Sequence, residues 1–337
     1  MVGPAQSPVT LEAVAALSGV SRSTVSRVIN GSTAVSPATL EAVESAIAQL
    51  SYVPNQAARS LVRRQTRAIA LVVPEDTSRF FGDPFFATVV SGVHHKLTEA
   101  GYVLNIFIAS DTAGDRTTAY LRGGNVDGAI IISHHSGDEF VNRIADSLPV
   151  VFGGRPNRTH DTSEDYFVDI DNTEGGRMAT RYLIGRGATR IAAISGPQDM
   201  PAGRDRLTGY RQELTAAGLP ESLVEEGDFS ERGGELAMER LLARGEFDAL
   251  FVASDLMARG ALRALSRAGI RVPEDVPLVG FDDSSVATQV SPTLTTVRQP
   301  SALQGEMIAQ RLLEILAGES PEKGTVVPAE LVIRESA

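Results

Sequence analysis

Cysteine is absent from the chain, which excludes disulfides, zinc-finger clusters and thiol chemistry. No apolar run is long enough to span a bilayer. The opening stretch, Met1 to Pro8, has neither the charged region nor the apolar core of a secretory leader, and it reads as a disordered tail. Lysine occurs only at Lys96 and Lys323. G-x-S-x-G, P-loop and G-x-G-x-x-G motifs are all missing. His94-His95 and His134-His135 are adjacent pairs, not the i, i+4 spacing that converges on a metal from a helix. They read as solvated or core histidines, although His134 or His135 could reach a cleft from a strand end. These absences leave no catalytic constellation, no metal set and no cofactor, and a cytoplasmic protein that is not an enzyme is expected.

What is present is a pattern of short helices at the N-terminal end. Leu11, Val14, Ala15 and Leu17 form an apolar face at helical spacing, with Thr10 as cap and Glu12 in the first turn. Ser18-Gly19-Val20 reads as a tight turn. Ser21 can cap a second helix that ends at Asn30-Gly31. Val25, Val28 and Ile29 would face the first helix. Arg22, Ser23, Ser26, Arg27 and Asn30 would face outward, a surface of donors without acids. Such a face suits the major groove, where arginine pairs with both acceptors of a guanine. Arg22, Ser23 and Arg27 are the candidates for base contact. Thr10, Ser21, Thr24, Ser26 and Asn30 are the candidates for phosphate oxygens. Ser36-Pro37 starts a third helix with Leu40, Val43, Ile47 and Leu50 as its core stripe.

Charge divides along the same line. The net charge is −11, yet residues 1–67 carry six arginines against three acids, or +3. The remainder is −14, with 25 basic and 39 acidic residues. A basic head on an acidic body fits a protein that touches phosphates only with its head.

Two stretches carry a resemblance. Val20-Ser21-x-x-Thr24-Val25-Ser26-Arg27-Val28-Ile29-Asn30, then Tyr52-x-Pro54-Asn55-x-x-Ala58-Arg59-x-Leu61, resemble the lactose-repressor/galactose-repressor family of bacterial transcription factors. The second stretch is similar to the family's hinge helix. The resemblance implies a phosphate contact at Asn55 and minor-groove contacts at Ala58 and Leu61, with Leu61 as an apolar wedge that kinks DNA.

Beyond the hinge, apolar strands alternate with amphipathic helices. The strands are Ala68–Val73, Tyr102–Ile108, Asp127–Ile132 and Pro149–Phe152, then Arg190–Ile194, Ala249–Val252 and Pro277–Phe281. Helices are expected at Phe85–Ala100, Gly175–Arg186, Arg204–Ala217, Gly233–Arg244 and Leu256–Ala268. Alternation of this kind implies parallel sheets with right-handed crossovers. The expected fold is an N-terminal all-α helix-turn-helix domain plus an α/β periplasmic-binding-protein-like effector domain of two doubly wound lobes. The resulting division is a tail at 1–8, the helix-turn-helix domain at 9–53, and a hinge helix and linker at 54–66. An effector-binding and dimerisation body follows at 67–337. By the resemblance the chain crosses between lobes near Ile170, Val297 and Lys323. Lobe 1 would be about 67–169 and 297–322, lobe 2 about 170–296 and 323–337.

The resemblance also assigns a cleft at the carboxyl ends of the strands. Phe281-Asp282-Asp283 is similar to the segment whose first aspartate grips the effector, so Asp282 leads and Phe281 is an effector-binding candidate beside it. Arg204-Asp205-Arg206-Leu207-x-Gly209-Tyr210 places an effector-binding arginine at Arg206. Ser254 stands where many relatives carry asparagine. Gln299 lies at a crossover, and Phe85 or Phe86 could offer a ring to a sugar face. One departure matters: Gly154 stands where many sugar-responsive relatives have aspartate, which leaves room for a larger ligand.

The function implied is a ligand-responsive regulator, a repressor of sugar-utilisation genes released from a palindromic operator by a small carbohydrate. The partners are double-stranded operator DNA, the effector and a second copy in a homodimer; no leucine heptads follow Ile333, and no membrane is involved. The alternatives are a regulator using a nucleobase or other metabolite as co-repressor, and a periplasmic-type solute-binding protein.

Overall fold

The computed structural model describes residues 9–29, 34–52, 65–109, 111–157, 163–221 and 223–337, with backbone alone at 111–113. The chain forms two compact units, residues 1–66 and 67–337.

In the first unit, α1 is Leu11–Ser18, α2 is Arg22–Ile29 and α3 is Pro37–Leu50. Thr10 caps α1 by accepting from the Ala13 amide, and Gly19 closes it at φ 69°. Ser36 caps α3, with Pro37 in its first turn. The core is Val14, Val25, Val28, Val43, Ala46 and Tyr52. Each buried valine stabilises this small unit by roughly 1.5–3 kcal/mol. Two expected core residues lie outside it: Leu17 is 49% exposed and Leu40 39%. At ~100° per residue Leu17 sits roughly 120° around the helix from Leu11, so it leaves the buried stripe.

The second unit contains two six-stranded sheets. The strands are β1 Ala68–Val73, β2 Val103–Ile108, β3 Gly128–Ile132, β4 Val150–Gly153, β5 Tyr166–Ile170, β6 Ile191–Ser195, β7 Val224–Glu226, β8 Ala249–Val252, β9 Leu278–Asp282, β10 Thr295–Arg298, β11 Gly324–Val327 and β12 Glu330–Val332. The first sheet runs β11-β5-β4-β3-β1-β2 and is parallel throughout. The second runs β12-β10-β9-β8-β6-β7, with β12 alone antiparallel. Helices cover both faces, so central strands are apolar on both sides. In β1, Ile69, Leu71 and Val73 enter one core cluster, while Ala70 and Val72 enter the other.

The chain passes from the first sheet to the second after Ile170, back after Arg298, and across again after Val327. The third crossing therefore differs from the expected one near Lys323. Residues 324–327 pair with β5 in the first sheet, so they belong to lobe 1. This strand lies at the sheet edge with half its residues exposed, and it lacks the apolar run that marks the buried strands.

Candidate functional site

The outward face of α2 carries the expected polar residues. Arg22, Ser23 and Arg27 are exposed, and Thr24 and Ser26 half-buried. Ser21 Oγ accepts from the Thr24 amide at 3.2 Å and lies 2.8 Å from Ser23 Oγ and 2.9 Å from Thr24 Oγ1. Three hydroxyls thus gather at the start of α2, where the helix dipole favours an anion. Arg22 Nη1 pairs with Glu12 Oε1 at 3.1 Å, but both side chains are more than half exposed. Such a pair holds little energy and can open for another partner. Asn30, Asn55, Ala58 and Leu61 lie outside the described residues.

In the second unit, a cleft lies between the lobes at the carboxyl ends of the strands, where open α/β sheets usually bind their ligands. Its lobe-2 wall centres on Arg206, which is 4% exposed. The helix Pro201–Ala216 carries it and packs directly on the helix Asn172–Gly185. Glycine permits that approach: a Cβ on Gly176 would strike the Arg206 carbonyl, and one on Gly209 the Thr173 carbonyl.

Arg206 is bonded on every side. Its Nε donates to Asn172 Oδ1 at 2.9 Å, and Nη1 donates to the Ala253 carbonyl at 2.6 Å and to Asp282 Oδ1 at 3.3 Å. Nη2 donates to Gln299 Oε1 at 3.4 Å. Gln299 Nε2 in turn donates to Asp282 Oδ1 at 2.7 Å. The guanidinium lies 3.7 Å from the Phe281 ring centroid and 5.6 Å from that of Phe229, a stacked geometry that orients it further.

Asp282 closes β9 with φ 116°, a conformation that side chains rarely adopt. Strain of this kind, about 1–3 kcal/mol, persists where surrounding bonds hold it. Burial raises its carboxyl to about 7, against the pull of Arg206. Asp283 instead pairs with Arg298 at 2.7 Å and Arg334 at 2.5 Å and turns away from the cleft.

Phe85, Arg206, Ser254, Asp282 and Gln299 all line the cleft. Ser254 also caps the following helix by accepting from the Met257 amide at 3.2 Å. Phe86 and Phe281 do not line it. Both are fully buried: Phe86 packs among Phe80 and Phe85, and Phe281 supports Arg206 from behind. Adjacent phenylalanines on a helix point about 100° apart, so only one can face the ligand.

Sequence reading missed several wall residues. Arg79 donates from Nη1 to the Phe229 carbonyl at 2.5 Å and pairs with Asp83 at 3.2 Å. Asp83 also caps the helix Pro84–Glu99 through the Phe85 amide, and burial raises its carboxyl. Asp169, raised to about 6 by burial, and Asn172 come from the first crossing between lobes. Asp83-Pro84, a cap-and-proline pair beside Phe85, was the available signal.

Comparisons with known proteins agree with this architecture. Residues 10–55 match the family described as bacterial regulatory proteins, lacI family, and residues 180–337 match the periplasmic binding protein-like domain. The HTH-type transcriptional regulator CelR of Thermobifida fusca is 49% identical over 335 residues, covering 97% of this chain and 98% of its own length. A solved structure described as a transcriptional regulator CelR–cellobiose complex superposes with TM-score 0.78 at 46% identity, covering 98% of this chain and 100% of that one. The lac repressor dimer bound to operator and the anti-inducer ONPF superposes with TM-score 0.87 at 28% identity, covering 98% and 99%.

A helix-turn-helix head followed by a two-lobed binding body defines a ligand-responsive, DNA-binding transcriptional regulator. The chain belongs to the lacI family of bacterial regulatory proteins.

Proposed function

We propose that this regulator is a repressor that holds a palindromic operator as a homodimer and releases it when a disaccharide of the cellobiose class occupies the cleft. Arg22, Ser23 and Arg27 read base edges, while Thr10, Ser21, Thr24 and Ser26 meet phosphates. Asn30 and Asn55 join the phosphate contacts, and Ala58 and Leu61 the minor groove. Phe85, Arg206, Ser254, Asp282 and Gln299 hold one sugar ring. A protein with this task works in the cytoplasm, where its operator is.

The observation that carries the disaccharide reading is Gly154. It lines the cleft at φ 101°, and a Cβ built there meets nothing within 4 Å among the described residues. The space that the first atom of an aspartate side chain would take is open, and we place the second ring on that side of the cleft. The similarity to the CelR–cellobiose complex supports the same reading.

The test is a gel shift with the DNA upstream of the protein's own gene, with and without cellobiose. Cellobiose should abolish the shifted band. A band strengthened by a nucleobase and indifferent to sugars would replace this reading with the co-repressor one.

A further inference from the structure

The two walls of the cleft differ in how their polar groups are satisfied. On the lobe-2 wall, Arg206, Asp282, Gln299 and Asn172 bond to one another. On the lobe-1 wall, three buried polar atoms have no hydrogen-bond partner among the described residues: His134 Nδ1, Asp169 Oδ2 and Gln304 Oε1. Their residues are 3%, 3% and 4% exposed, and all three line the cleft. They come from three elements: the loop after β3, the strand β5, and the helix Ser301–Leu316.

Each is fixed by its other end. Gln304 Nε2 donates to the Val168 carbonyl at 3.0 Å, so Oε1 is committed as an acceptor. Asp169 Oδ1 accepts from the Ile170 amide at 2.8 Å and from Asn172 Nδ2 at 3.1 Å. Its Oδ2 forms an ion pair with Arg155 Nε at 3.5 Å but accepts no hydrogen bond from a described residue. His134 Nε2 lies 3.1 Å from the Arg155 carbonyl and 3.2 Å from the Asn157 amide, and its ring packs at 5.2 Å from Phe152. Burial keeps the imidazole neutral near neutral pH.

Buried polar atoms are normally hydrogen-bonded, and three on one wall of a cleft without a hydrogen bond from a described residue suit an occupant that supplies them. We propose that His134, Asp169 and Gln304 form a second subsite, which binds hydroxyls of the second pyranose ring and sets disaccharide over monosaccharide preference. This rests on the sugar reading above and adds the residues that select ring number. Hydroxyls suit the set because each both donates and accepts. Two can donate to Asp169 Oδ2 and Gln304 Oε1, and a third can answer His134 Nδ1 in either tautomer. The open space beside Gly154 adjoins the same wall.

The experiment is calorimetric titration of the full-length protein with cellobiose and with glucose, for the wild type, His134→Phe and Gln304→Leu. The two substitutions lie on different elements, so one remains informative should the other fail to fold; ligand-free melting reports which has done so. The expected result is a fall of about tenfold or more in cellobiose preference over glucose for either variant. An unchanged preference, whether both affinities hold or fall together, overturns the subsite and assigns these atoms to water or structure. A wild type that binds neither sugar overturns the sugar reading itself, and the subsite with it.

Discussion

His135 Nδ1 lies 2.9 Å from Asp199 Oδ2, and the two residues belong to different lobes. His135 follows β3 in lobe 1, and Asp199 precedes the helix Pro201–Ala216 in lobe 2. The Asp199 carbonyl accepts from the Ser136 amide at 3.0 Å and from Asn157 Nδ2 at 3.0 Å, both in lobe 1. Arg204 Nη2 returns the contact to Asn157 Oδ1 at 3.1 Å. The lobes are therefore latched across the cleft mouth, and the histidine is the part of the latch that titrates.

Glu75, followed by Asp199, raises His135 to about 9. A histidine raised above its unfolded value of about 6.5 stabilises the fold fully below that pH. The contribution declines as pH rises, and it is lost on passing through about 9. The melting temperature of the wild type should exceed that of His135→Phe most at about pH 6 and lower, below the unfolded value, with the gap narrowing above it and closing by pH ~9.5. A gap that does not change with pH would remove His135 from the latch.

Asp282 does two things at once, which separates two substitutions. Asp282→Ala strands the Arg206 cation in a fully buried site, and breaking a buried pair this way costs about 3–5 kcal/mol. Asp282→Asn keeps an acceptor and the volume. Asp282→Asn should melt closer to the wild type, hold operator within about threefold, or ~0.6 kcal/mol, and bind sugar more weakly by about tenfold or more. Thermal melts, operator anisotropy and calorimetry on both variants check this. Equal stability of the two variants would show that Arg206 does not depend on the carboxylate.

Residues 67–337 form a compact unit with both sheets complete. Deleting residues 1–65 should leave a folded protein that binds sugar as well as the full chain and does not bind operator. Operator binding by the truncated protein would contradict the division of labour.

Arg27 is exposed on the outward face of α2. Arg27→Ala should weaken specific binding by ~1–3 kcal/mol and relax one operator position. Competition with randomised operators separates this from a uniform loss on all sequences, which would mark a phosphate contact instead.

Reading the sequence located the long buried strands well, because β1, β3 and β8 are apolar runs that only a doubly covered sheet explains. It placed Arg206 and Asp282 in the cleft only through a family resemblance; no periodicity brings residues 76 positions apart together. It missed Arg79, which lies on the short helix Thr77–Gly82, where no residue is buried and no apolar pattern shows. It could not separate Phe85 from Phe86, since that depends on which face of one helix meets the sheet. Edge strand β11 was hidden because it is four residues long, starts at a glycine and is half exposed, so the third crossing was set about four residues early.

The central claim is that sugar in the cleft and operator on the head oppose one another through one chain. The direct measurement is operator anisotropy on the upstream DNA at rising cellobiose, beside calorimetric sugar binding with and without operator. The account predicts that saturating cellobiose weakens operator binding by roughly 5–150-fold, and that operator weakens sugar binding by the same factor, as linkage requires. Cellobiose that binds the cleft and leaves operator affinity unchanged would contradict it.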